Sequence, residues 1–175
     1  RPGERRCFAV AGEPGDAAIV NLTPVLASGA GDGLLVSSDV SGSPVAANVN
    51  YSVGSIDPNV GVVPIGADGE VCFQNSVHAS VDLIADHLGT IDGSVYTAAT
   101  VSGASARKVD TRSNLGGGRL KPSGQLCFGV AGDPGDAAIV NLTPVLASGA
   151  GDGLLVSSDV KAAPPLGANV NFGSG

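Results

Sequence analysis

Residues 14–40 read PGDAAIVNLTPVLASGAGDGLLVSSDV, and residues 134–160 read the same letters without a change. The flanks repeat as well. Cys7-Phe8-Ala9-Val10 returns as Cys127-Phe128-Gly129-Val130, and Ala47-Asn48-Val49-Asn50-Tyr51 as Ala168-Asn169-Val170-Asn171-Phe172. Self-similarity at a long fixed period marks a unit made to be strung in tandem. A period of 120 divides the 175 residues into a complete repeat module, 1–108, and a partial second repeat, 109–175, holding the first half only.

The interior of the duplicated stretch reads as turn, strand, connection, strand. Pro14-Gly15-Asp16 is turn chemistry, because proline presets φ and glycine supplies a positive-φ position. Residues 17–26 follow as a strand. Pro24 cannot donate to a ladder, which places that end at a sheet edge or a bulge. Residues 28–33, SGAGDG, read as a hairpin connection, and 34–40 as the returning strand.

Working outward, 7–11 is a short apolar strand. Residues 46–53 alternate, with Ala47, Val49, Tyr51 and Val53 inward against Asn48, Asn50 and Ser52 outward. Residues 60–65 are β-branched, Asp68-Gly69 is a hairpin signal, and 71–75 is a second cysteine-bearing strand. The run SVDLIADHL at 80–88 satisfies both the helical and the strand period; its strand-rich surroundings make it a strand. Residues 92–106 read as a loop with one weak strand at 95–97. About seven or eight short strands in one period, with frequent turn signals, predict an all-β antiparallel sandwich of Greek-key or jelly-roll kind. A small barrel or a trefoil is the alternative architecture, although no threefold internal period supports the trefoil.

Composition bounds the function. Hydrophobic residues make up 43%, ample for a core, yet there is no Met or Trp and only four Phe and two Tyr. Burial therefore falls to Val, Ile, Leu and Ala, and 27 Gly with 11 Pro punctuate short strands. Charged residues are 14% of the chain and the net charge is −7, which argues against a nucleic-acid partner. No apolar run reaches membrane-spanning length. The chain begins with Arg1 and without a signal-like segment, so it reads as a mature or excised piece of something longer.

Cys7 and Cys72 each precede a phenylalanine in an apolar strand, and they are predicted to form a disulfide. A bridge of that span contributes about 4 kcal/mol through loop closure, and it implies an oxidising, extracytoplasmic setting. Cys127 repeats Cys7 and is the cysteine left unpaired. No C-x-x-C or Cys/His cluster is present, so no metal and no cofactor are expected.

Several stretches taken together resemble a known repeat. These are V-D-T-R at 109–112, A-x-x-V-N-L-T at 17–23, A-N-V-N-Y at 47–51, D-P-N-V at 57–60, and A-D-G-E-V-C-F at 67–73 before V-D-L-I-A-D. As a group they are similar to the tandem V-D-T-R repeat module of secreted and cell-surface actinobacterial proteins, often appended to extracellular hydrolases. The resemblance spans essentially the whole chain and implies a non-catalytic extracellular role, with no ligand residues to carry over. The first unit lacks a leading V-D-T-R strand of its own, and the second has no counterpart to residues 60–88.

Few residues are arranged for catalysis. The two histidines are His78 and His87, and no G-x-S-x-G elbow accompanies them. His87 beside Asp86 reads as a surface residue at a strand end. Gly29–Gly33 looks like a phosphate loop but lacks the lysine and the helix, so it reads as a turn. Asp16, Asp32, Asp39 and Asp68 lie in or beside turns without calcium-loop spacing and read as Asx-turn residues. Glycan contact would fall to Tyr51 and Tyr96.

The expectation is thus a non-enzymatic, secreted or cell-surface structural and adhesion module. It self-associates into a fibre or array through strand or half-module pairing, with other copies or neighbouring repeats as partners. A carbohydrate- or cell-wall-binding accessory module of a secreted hydrolase is the alternative.

Overall fold

The computed structural model describes residues 1–41, 47–98, 100–101, 104–105, 107–145, 147–149, 151–154 and 170–172, and among these there is no helix. The chain divides into two compact units, Arg1–Lys108 and Val109–Gly175.

In the first unit the main strands are, in chain order, β1 (Arg5–Ala9), β2 (Ala17–Val25), β3 (Gly31–Ser37), β4 (Val49–Tyr51), β5 (Asn59–Pro64), β6 (Glu70–Asn75) and β7 (Asp82–Ile91). A small ribbon of β8 (Thr100–Val101) with β9 (Ala104–Ser105) follows. Two antiparallel sheets result, ordered β1-β6-β3-β4 and β5-β2-β7, and they do not close into a barrel. The period-2 pattern of β2 shows why they pack. Ala18, Val20, Leu22 and Pro24 are buried, while Ile19, Asn21, Thr23 and Val25 are half-buried on the opposite face. The inward residues of β2, with Val63 and Ile65, meet Leu35, Val49, Val71 and Phe73 of the other sheet. Each fully buried Val or Leu contributes about 1.5–3 kcal/mol. The architecture is a β-sandwich.

Sequence and structure part company over pairing. The connection after β2 is not a hairpin: β2 lies in the three-stranded sheet and β3 in the four-stranded one. The Asp68-Gly69 turn likewise carries the chain from β5 in one sheet to β6 in the other. Its reversal is real, with Gly69 N–H donating to Gly66 O at 2.9 Å and Gly69 at φ +77°. A turn sequence specifies local reversal, whereas the strand partner is set by which face must be buried. Of the pairings in these two sheets, β3–β4 alone joins strands consecutive in the chain. The others join β1 to β6, β3 to β6, and β2 to both β5 and β7.

Pro24 sits where β2 has already run past β5, whose pairing ends at Leu22↔Asn59, so no strand on that side needs its missing N–H. The ambiguous run at 80–88 lies largely within β7, which also carries a register shift opposite Ile19 and Val20. Three expectations fail locally. Val53 lies beyond β4 and is exposed, Asn48 is buried rather than outward, and 95–97 form a turn and coil. Asn48 is inward because its Oδ1 accepts the Leu35 N–H at 2.6 Å, a cap for the β3 backbone.

In the second unit, β10 (Gly151–Leu154) pairs with β11 (Val170–Phe172), joining Gly151 to Phe172 as β3–β4 joins Gly31 to Tyr51. The spacing between copies is therefore 121 on this side, one more than the period read at the cysteines; 161–167 is one residue longer than its counterpart. V-D-T-R is a turn and not a leading strand. Asp110 and Leu115 close it as an isolated antiparallel bridge.

Candidate functional site

Two cysteines expected to pair do so. Cys7 on edge strand β1 and Cys72 on β6 are directly opposite in the antiparallel register, and a disulfide joins them. Cys72 is fully buried against Leu34, Val36 and Val40 on the side of the four-stranded sheet away from the main core. Phe8 and Phe73, next to the cysteines, pack into or against the inter-sheet core instead. The bridge thus adds a covalent clamp to an edge strand that is also held by its ladder to β6 and by Phe8 against the core. Cys127 is free and exposed.

The proposed glycan contacts do not form a platform. Tyr51 is 4% exposed, packed with Ala27 and Ala79 at one end of the sandwich. Its hydroxyl donates to Asn75 Oδ1, while Asn75 Nδ2 donates to the Ala79 and Arg1 carbonyls at 2.8 Å each. A ring with buried faces and a committed hydroxyl cannot stack on a sugar. Tyr51 is therefore a core residue, which overturns its assignment as a glycan contact. Tyr96 is half-buried, and burial raises its phenol above the ordinary value. Asn75 is the residue that sequence reasoning missed. Its polarity in an apolar strand, V-C-F-Q-N, was the available signal, but its three partners lie far apart in the chain or across a turn.

The glycine-rich loop has a packing role. A Cβ at Gly31 would overlap the Tyr51 ring, and one at Gly33 would overlap Phe73. Those two glycines let the aromatic side chains lie across the backbone of β3.

The turn carboxylates accept backbone N–H groups. Asp16 takes Glu13 N–H at 2.9 Å through Oδ2 and Gly93 N–H at 2.8 Å through Oδ1. Asp39 takes Ala67 N–H at 2.9 Å, and Asp68 takes Glu70 N–H at 3.2 Å. Ser38 Oγ reaches both Asp39 and Asp68, and its hydrogen bond is the main cause holding the Asp68 carboxyl below its ordinary value. Among the described residues no three His, Cys, Asp or Glu converge as a metal site. His87 is exposed on β7, within 3.2 Å of Thr90 Oγ1, and His78 is exposed after β6. In V-D-T-R, the Arg112 guanidinium grips Asp110 with two bonds of 2.9 and 2.7 Å, and this pairing raises the Arg112 pKa.

What remains as candidate functional surface is the contrast between the two copies of one sequence. Three of the four edge strands of the first unit carry charges or proline, namely Arg5 and Arg6 on β1, Pro64 ending β5, and Asp82, Asp86 and His87 on β7, and the fourth, β4, is only three residues long. The low overall charge therefore does not leave these edges bare. In the second unit, 137–145 repeats β2 letter for letter yet holds no strand, and 125–129, the counterpart of β1, holds none either. Ala137 and Ala138 are exposed where Ala17 and Ala18 are wholly buried. Ile139 is 62% exposed, and Leu142 is half-buried where Leu22 is wholly buried.

The local structure survives this change of context. Asp136 Oδ2 accepts Asp133 N–H at 2.9 Å, as Asp16 does from Glu13, and Gly132 and Gly135 keep the positive φ of Gly12 and Gly15. The turn forms from neighbours in sequence, and β10 pairs with β11 within the same unit. The distant strand partners of 125–129 and 137–145 correspond to β5, β6 and β7, and 109–175 contains no second copy of those strands.

Compared with protein-family models, curated proteins and solved structures, the chain matches none.

Proposed function

We propose that this chain is a non-catalytic structural and adhesion repeat, secreted or displayed at a cell surface, that associates into fibres or arrays by half-module pairing. The observation that carries this reading is the identical stretch that is strand and core at 17–25 but strandless and partly exposed at 137–145. Residues 137–145 carry the full pattern for burial yet stay partly exposed, and covering them with a further strand-forming segment would stabilise them. The guarded edges of the first unit favour half-module pairing over edge-to-edge strand pairing. The Cys7–Cys72 bridge supports an oxidising compartment. The similarity of the V-D-T-R group of motifs to tandem modules of secreted proteins points the same way.

Light scattering and electron microscopy of the oxidised full chain over a concentration series test the reading. Concentration-dependent particles built from a regular repeat are the expected result. A compact monomer at every concentration would refute it.

A further inference from the structure

The two ends of the Cys7–Cys72 bridge stand in different surroundings. Cys7 is exposed on β1, an edge strand with no strand on its outer side, and its neighbour on the same face is the small Ala9. Cys72 is wholly buried among Leu34, Val36 and Val40. Thiol–disulfide exchange requires a thiolate to approach one sulfur in line with the bond that breaks. Across the strands, the line from Cys72 through Cys7 leaves the sheet at its open edge. The reverse line runs towards β3, where Val36 is the residue opposite Cys72. One sulfur can be reached and the other is covered.

A cation lies beside the covered sulfur. Arg5 and Cys7 share a face of β1, and their partners Gln74 and Cys72 share the same face of β6. The Arg5 guanidinium is held there by donating to Gln74 Oε1 at 2.6 Å and to the carbonyl of Val40, which itself packs with Cys72. A positive charge beside a buried sulfur favours its thiolate, against the apolar burial that disfavours it. We propose that the bridge is a thiol-exchange site: a small-molecule thiol modifies Cys7 and not Cys72, and Arg5 stabilises the Cys72 thiolate that leaves. This inference needs only the first unit and stands apart from the assembly reading.

The incoming thiolate forms a bond to Cys7 Sγ, and the Cys7–Cys72 bond breaks with its electron pair going to Cys72 Sγ. The thiol's proton passes to solvent and Cys72 takes one back. The incoming sulfur is oxidised and Cys72 is reduced, so no further oxidant or reductant enters. A disulfide exposed to solvent belongs to the labile, regulatory kind. After opening, β1 keeps its ladder to β6 and Phe8 against the core, so the bridge works as a latch on an edge strand.

The test uses the full oxidised chain carrying Cys127→Ser, which removes the competing exposed thiol, and reduced glutathione in excess without denaturant. After an acid quench, unfolding and alkylation with N-ethylmaleimide, mass spectrometry locates each label. Glutathione is expected on Cys7 and maleimide on Cys72, about tenfold or more over the reverse arrangement. The initial rate should rise in proportion to glutathione and should not change with urea below the unfolding transition. Arg5→Gln, which installs the residue found at the matching position of the second copy, Gln125, should slow the reaction about threefold. That is the change for roughly one unit of thiol pKa at a Brønsted sensitivity of about 0.5. Arg5→Lys should restore the rate. Were Arg5 only a prop for β1, its loss would speed the attack instead.

Comparable labelling of the two cysteines, a preference for Cys72, or a rate that saturates at a urea-dependent opening step would overturn the site. Arg5→Gln reacting as fast as its parent or faster, or Arg5→Lys as slow as Arg5→Gln, would overturn the part given to Arg5.

Discussion

Removing the Cys7–Cys72 bridge should destabilise the first unit about as much as the largest single core truncation. The bridge closes a loop with a sequence separation of 65, and closure entropy for that span is about 4 kcal/mol. The link ties β1, an edge strand paired only with β6, to the sheet. For a unit of this size, 1 kcal/mol moves Tm by about 4–8 °C, so the expected drop is about 15–30 °C. The measurement is calorimetry of the full chain as oxidised wild type, reduced wild type and Cys7→Ala/Cys72→Ala. The reduced and doubly substituted proteins should agree to within about 1 kcal/mol, the modest packing lost when the buried Cys72 sulfur is deleted beside Leu34 and Val36. A drop below about 5 °C in both would refute the reasoning, since the unfolded chain would then already hold these strands together or β1 would lie outside the cooperative unit.

Tyr51→Phe should cost about 0.5–1.5 kcal/mol, the net worth of one buried hydroxyl hydrogen bond, by denaturant unfolding. Tyr51→Ala should cost about 3–5 kcal/mol through the cavity left between Ala27 and Ala79. Gly33→Ala should destabilise by about 1–3 kcal/mol by driving a methyl group into the Phe73 ring, a shift readable as loss of near-ultraviolet dichroism and a lower denaturation midpoint. Acid should weaken the fold in a defined window. Glu4, Asp68 and Asp92 have carboxyls lowered from ordinary values of 4.5, 3.8 and 3.8, so their stabilisation is present above those values and is lost as pH falls through the lowered ones. Melting curves taken from neutral pH downward should be flat until that window, and Ser38→Ala should remove the Asp68 share of the slope.

The all-β class, the short strands and the cysteine pair were legible because each depends on patterns of few residues. Alternation in 17–25 gives a strand with one buried face, and Pro14-Gly15-Asp16 gives a turn wherever it stands. Tyr51 was misassigned because alternation says only that a side chain points inward. It does not say that Asn75 and Ala79 will be waiting for its hydroxyl. The two connections read as hairpins failed for a related reason. Gly29 and Gly69 mark reversals, but whether the chain returns to the same sheet or crosses to the other depends on strands not adjacent in sequence.

The duplicated stretch separates the two kinds of information. Sequence by itself determined what both copies share at short range: the Asp-capped turn after Gly12 and Gly132. Only the tertiary structure decided that 17–25 is a central strand and that 137–145 is not one, although their letters are the same. A turn closes through hydrogen bonds between near neighbours. A strand interior to a sheet exists only when both flanking strands and an opposing sheet satisfy its backbone and cover its apolar face.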